Sequence, residues 1–185
     1  MLYRTLLAAC IALATPSLAT QQCSDGCPSS SSPDPVIAQH SAQEVINILG
    51  LTPSAEGGYF FETFRDTTLL ASTNRSISTA IYYLLEGPNV PSAWHSVVDA
   101  AEVWHWYAGA PLTLEVSANN GSATVMNQLG PDMFNGQRPQ AVVPSGYWQR
   151  ALSLGNWTLV GTTVAPAFEP DSYAQAAPGW TPLGA

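Results

Sequence analysis

The chain has 185 residues with thirteen acidic side chains against five arginines and no lysine, a formal charge of −8. An acidic chain is a poor partner for nucleic acid or an anionic membrane. The absence of lysine excludes Schiff-base and pyridoxal chemistry, both of which need a side-chain amine.

The chain starts Met-Leu-Tyr-Arg and continues as an apolar run from Leu6 to Ala14, the pattern of a secretory signal peptide over residues 1–19. Ser17 and Ala19 are small where a signal peptidase inspects, so cleavage is expected after Ala19. The run is too short to span a bilayer, which predicts a secreted or luminal protein. Cleavage removes Arg4 and leaves four arginines against thirteen acids, a net of −9. Cys10 leaves with the signal; Cys23 and Cys27 remain, framing Ser-Asp-Gly, a turn sequence. A small local disulfide is expected, with an intermolecular link as the alternative. Residues 20–40 are rich in Ser and Pro and read as an extended arm.

At Ser41 the character changes. Ser41 and Glu44 have capping-box spacing, Val45, Ile48 and Leu49 recur at helical intervals, and Gly50 stops the turn, predicting one helix over 41–50. After Pro53 the chain is written for strands, nine in all: 59–65, 78–85, 94–98, 102–107, 112–117, 124–129, 141–144, 148–154 and 158–165. Short strands with almost no helix between them predict an all-β sandwich or barrel in one domain over 41–172, followed by a tail over 173–185 that packs outside or trails. Asn74, Asn120 and Asn156 each open an Asn-Xaa-Ser/Thr sequon, expected as glycosylation sites on the secretory route.

The segment Trp94–Gly109 holds two of the three histidines, three of the six tryptophans and Glu102. Read with period two it is a hairpin turning at Asp99-Ala100, with Glu102, Trp104 and Trp106 on one face and His95 in reach of Glu102 across the strands. His95 and Glu102 are the candidate catalytic acid/base pair; the alternative is a structural hydrogen-bonded pair. Trp104, Trp106 and Trp148 are candidate ligand walls, or simply core. His105 alternates to the opposite side and is assigned packing or a subunit contact. Arg65, near Glu62, is either a surface ion pair or an anion clamp at a barrel mouth. No nucleophile elbow, phosphate loop or dinucleotide fingerprint is present.

His95, Val97, Glu102 and Gly109 fall at the spacings of the first metal motif of the cupin superfamily, with Val97 where the second His stands; Pro144, Gly146 and Gln149 fall on the second motif, with Gln149 where its His stands. More closely, the chain resembles a subgroup of short single-domain cupins across residues 43–172. The resemblance rests on Glu56-Gly57-Gly58-Tyr59-Phe60, the strand Ser78–Leu85, Trp94-His95, Glu102–Gly109, Pro139–Pro144, Trp148-Gln149 and Gly161–Pro166. The chain departs from that subgroup at Ser54-Ala55 and at Ala101, which implies a different ligand.

The resemblance implies a double-sheet jelly roll and, as the default, a homodimer joined at edge strands. Any metal would sit on His95, Glu102 and Gln149, but a single imidazole is few ligands, so no cofactor is expected and a weakly bound divalent metal is the alternative. Cupin epimerases pair a His base and carboxylate with a Tyr acid, a role that falls here to Tyr59, Tyr82 or Tyr83, with Gln149 beside the substrate. The expected function is a secreted, metal-independent or weakly metal-dependent enzyme that isomerises, epimerises, eliminates from or cyclises a small hydrophobic or planar molecule, with natural-product biosynthesis as the expected setting. The alternatives are a secreted small-molecule-binding protein and a metal-dependent oxygenase or lyase.

Overall fold

The computed structural model describes residues 39–185. The expected signal peptide, nearly all of the Ser/Pro-rich arm and the Cys23–Cys27 disulfide lie outside the described residues. Helix α1 spans Ala42–Leu49. Its capping box is formed on both sides: the Ser41 backbone N–H donates to Glu44 Oε2 at 2.8 Å, and the Glu44 N–H donates to Ser41 Oγ at 3.3 Å. Gly50 ends the helix in the left-handed region at φ 65°. The buried stripe is centred on Val45 and Ile46, whereas Ile48, expected to face inward, is 84% exposed.

Eleven strands follow: β1 (Thr52–Pro53), β2 (Tyr59–Arg65), β3 (Thr79–Glu86), β4 (His95–Val97), β5 (Ala101–Gly109), β6 (Leu112–Ser117), β7 (Val125–Leu129), β8 (Gln140–Val143), β9 (Trp148–Ser153), β10 (Trp157–Ala165) and β11 (Tyr173–Gln175). They form two antiparallel sheets, in the orders β1-β2-β3-β10-β5-β8 and β11-β4-β9-β6-β7. This is the all-β sandwich that the strand pattern predicts, in the jelly-roll form that the resemblance implies.

The period-two alternation explains how the faces are spent. On β3, Tyr83 and Leu85 turn into the sandwich, while Tyr82 and Leu84 turn outward beneath α1. The interior at one end is filled from both sheets: Tyr83, Trp104, Val143 and Val160 from the first meet Leu112, Leu114, Leu129 and Ala151 from the second. Each large side chain buried there contributes about 1.5–3 kcal/mol of transfer free energy. Outside the first sheet, α1 packs Val45 and Ile46 on Leu84, Ala108, Trp157 and Leu159.

Two expectations change here. Residues 94–98 and 102–107 are not a hairpin. β4 belongs to the second sheet and β5 to the first, so the turn at Asp99-Ala100 carries the chain across the sandwich rather than back along the same sheet. Arg75 anchors that crossing, with Nη1 2.7 Å from Asp99 and Nε donating to the Ala167 carbonyl at 2.5 Å. Second, the boundary at 172 falls short, because Tyr173–Gln175 pairs with β4 as the edge of the second sheet. Beyond it the chain crosses the outside of that sheet. The Ala176 N–H donates to the Trp94 carbonyl, and Trp180 lies 4.4 Å from the Trp148 ring centroid. The three sequon asparagines, Asn74, Asn120 and Asn156, are all exposed.

Candidate functional site

The packed core ends at Trp104, and beyond it the two sheets part around a cavity of about 610 Å³. β4 carries His95 and Val97 into it from the second sheet; β5 and β10 present Glu102, Thr162 and Val164 from the first. His95 and Glu102 therefore do share a site, but they face one another across the sandwich.

Glu56 completes this polar group. It precedes Gly57 and Gly58, at φ 100° and 70°, and a Cβ on Gly58 would lie 2.5 Å from the Leu84 carbonyl oxygen. Only glycine lets the loop press so closely on β3 and turn Glu56 inward. The Tyr83 hydroxyl clamps the same loop by donating to the Gly57 carbonyl at 2.7 Å.

His95 is 3% exposed, and its Nδ1 is 3.0 Å from the Ala93 carbonyl oxygen. A carbonyl only accepts, so Nδ1 carries the hydrogen and Nε2 is left toward Glu56 Oε2, 3.4 Å away. The ring stacks on Tyr173, with centroids 5.6 Å apart, and the Tyr173 hydroxyl donates to the same Glu56 oxygen at 3.1 Å. Burial, then the charge of Glu56, pushes the Tyr173 phenol well above its ordinary range, so it stays a neutral donor.

Glu102 is held by Gln149, whose Nε2 donates to its Oε2. The other end of the amide is also taken, because Gln149 Oε1 accepts from Trp104 Nε1 at 2.9 Å. Burial raises the Glu102 carboxyl above the usual carboxylate range; the charge of His95 and the Gln149 donor only partly offset it. The site thus sets an oriented imidazole, its Nε2 facing Glu56, opposite a carboxyl that burial biases toward its protonated form. Such a pairing separates the roles of base and acid.

Several expected side chains are placed elsewhere. None of the three candidate tryptophan walls lines the cavity. Trp104 is core and orients Gln149, Trp106 donates its N–H to the Ala110 carbonyl at 3.0 Å, and Trp148 lies on the outer face under Trp180. A buried indole N–H usually finds a partner; Trp104 and Trp106 use theirs in that way, and Trp148 is used in packing. Tyr59 and Tyr82 pack toward α1 on the outside of the first sheet, and Tyr83 spends its hydroxyl on the loop, so none is in place as the acid. Gln149 acts on Glu102 and does not face the cavity. The walls are instead Phe60, Ile81, Val97, Phe168 and Tyr173. His105 does turn away, its Nδ1 3.2 Å from Gln140 Nε2. Arg65 reaches the cavity mouth, but its donors are committed to Glu62, Glu169 and the Phe168 carbonyl.

The residues do not fit a divalent ion at this site. Among the described residues no three His, Cys, Asp or Glu side chains converge as a metal-binding group. Val97 offers no donor, and both ends of the Gln149 amide already hold partners. That leaves one imidazole, Glu56 with an oxygen already accepting from Tyr173, and a Glu102 carboxyl that burial drives toward protonation, a poor set of donors. Protein stripped with chelator and dialysed against zinc, manganese or iron(II) is expected to retain well under one ion per chain by elemental analysis. One tightly held ion per chain, lost in His95→Ala, would reverse this assignment.

Residues 43–176 match the model of Cupin_5, described as cupin superfamily (DUF985). A protein of known structure from Shewanella oneidensis is 29% identical, with 75% of this chain and 85% of that one covered and a TM-score of 0.68. A hypothetical protein from Leishmania major is 26% identical, with 73% and 86% covered and a TM-score of 0.66. The capsular polysaccharide assembling protein CapF from Staphylococcus aureus, at 14% identity, 65% and 30% coverage and a TM-score of 0.50, shares the fold alone. No curated protein matches the chain.

Proposed function

We propose that this chain, which belongs to the Cupin_5 family of the cupin superfamily, is a secreted enzyme that moves protons on a small hydrophobic or planar organic molecule. Isomerisation, epimerisation, elimination and cyclisation all fall within that chemistry. The observation that carries the reading is the orientation of the His95 ring. With Nδ1–H donated to Ala93, Nε2 is the basic atom, and it opens into a cavity with mostly apolar walls. The substrate C–H proton passes to Nε2, and the imidazolium so formed is stabilised by Glu56, 3.4 Å away. Glu102, biased toward protonation by burial, returns a proton to the atom where negative charge accumulates. Tyr173 holds Glu56 and the His95 ring in register. Secretion is supported by the signal-like start and the exposed asparagines of the three sequons.

Nitrobenzisoxazole tests this directly, because it is flat, neutral and opens to a coloured phenolate when one C–H proton is removed. The protein is expected to open it with saturation kinetics, at a kcat/KM about a hundredfold or more above the second-order rate of free imidazole. Saturable binding with no acceleration would identify a binding protein instead.

A further inference from the structure

We propose that the cavity selects a cationic ligand: a flat, hydrophobic molecule bearing a protonated amine or ring nitrogen, held among Phe60, Phe168 and Tyr173 with its charge toward Glu56. The proposal rests on the cavity being the functional site and names its substrate class.

The charges around the cavity are unequal. Glu56 and Glu62 line it as carboxylates, against the single guanidinium of Arg65. Arg65 is the residue that would receive a carboxylate or phosphate, and it is not available. Its Nε and Nη2 donate to Glu62 at 3.0 and 2.9 Å, Nη1 donates to Glu169 at 3.0 Å, and Nη2 also reaches the Phe168 carbonyl at 3.1 Å. One guanidinium shared by two carboxylates leaves the mouth net negative. An anionic ligand would have to break that fork and then enter past Glu62 toward the Glu56 carboxylate. A cation meets the opposite field at every step, and the acidic chain as a whole draws it in.

The walls fit the same ligand. Phe168 and Tyr173 meet edge to face at 5.9 Å, and Tyr173 is itself stacked with His95, so a flat ring is offered aromatic surface near the carboxylates. Cations are attracted to ring faces, more strongly where water is excluded.

Three molecules of nearly one shape separate the charge states: naphthylmethylammonium, naphthalenemethanol and naphthoate. Calorimetric titration of the intact protein is expected to rank them in that order, with about tenfold or more between the first and the last. Glu56→Gln should reduce the preference for the ammonium over the alcohol. Glu62→Gln combined with Glu169→Gln should release Arg65 and raise naphthoate affinity about tenfold. Naphthoate binding the wild-type protein as tightly as the ammonium would overturn the proposal, as would failure of all three to bind. The ranking is independent of turnover, so a protein that orders the three as expected yet leaves nitrobenzisoxazole unopened would keep the ligand class and lose the proton-transfer mechanism.

Discussion

Gln149→Leu is expected to destabilise the protein by about 3–5 kcal/mol at neutral pH, read from urea unfolding. The two side chains have similar size, so little of this is packing. Gln149 is fully buried, accepts from Trp104 Nε1 and donates to Glu102. Leucine leaves a buried indole N–H without an acceptor and a buried carboxyl without its donor. The first loss is the same at every pH. The second is not, because the Glu102 carboxyl already lies above its ordinary value and loses a donor that favours the charged form. A carboxyl raised in the folded state contributes its stability below the unfolded value, near 4.5, and loses it as pH rises through the folded one. The deficit of the variant should therefore be smallest in mild acid and grow toward neutrality. Replacing all three groups together, as Glu102→Leu, Trp104→Phe and Gln149→Leu, should recover much of the stability, since no buried polar atom is then stranded. A pH-independent loss under 1 kcal/mol in the single variant would show that the amide does not hold the pair.

That amide also shows where the sequence is legible and where it is not. Period two, the Ser41–Glu44 spacing and the placement of His95, Glu102, Gly109, Pro144 and Gly146 are local patterns, and local patterns yield the sandwich, the helix and the membership of His95 and Glu102 in one site. Partnerships across the sheets are not local. The Asp99-Ala100 turn reads equally well as a hairpin and as a crossing between sheets, because both reverse the chain in a few residues. Tryptophan content suggests an aromatic pocket, yet the indoles are spent on hydrogen bonds and on the outer face. The aromatic walls near the carboxylates come from Phe60 on β2 and from Phe168 and Tyr173, more than sixty positions after Glu102 in the chain order of the site's strands. Glu56 reads as part of a glycine turn, and only the positive φ of Gly57 and Gly58 shows that the turn exists to face a carboxylate toward His95.

His95→Ala should lower kcat/KM for nitrobenzisoxazole by about a hundredfold to ten-thousandfold while the protein remains folded. The base removes its proton in the rate-determining step for this substrate, so the loss should fall on kcat, with KM nearly unchanged. The cavity keeps its apolar walls, and the alanine variant should still bind the three naphthalene probes. Glu56→Gln separates a supporting role from a chemical one. Without its charge the imidazolium loses its partner 3.4 Å away, and about a tenfold loss is expected, well short of that in His95→Ala. Glu102 gives the decisive contrast. Ring opening of this probe ends on a stable phenolate and needs no strong acid, so Glu102→Gln, which preserves a hydrogen-bond donor, should retain most of the rate. If instead Glu102→Gln abolishes turnover and His95→Ala does not, the carboxylate is the base, its upward shift by burial is what makes it strong enough, and the imidazole is the group that holds the ligand.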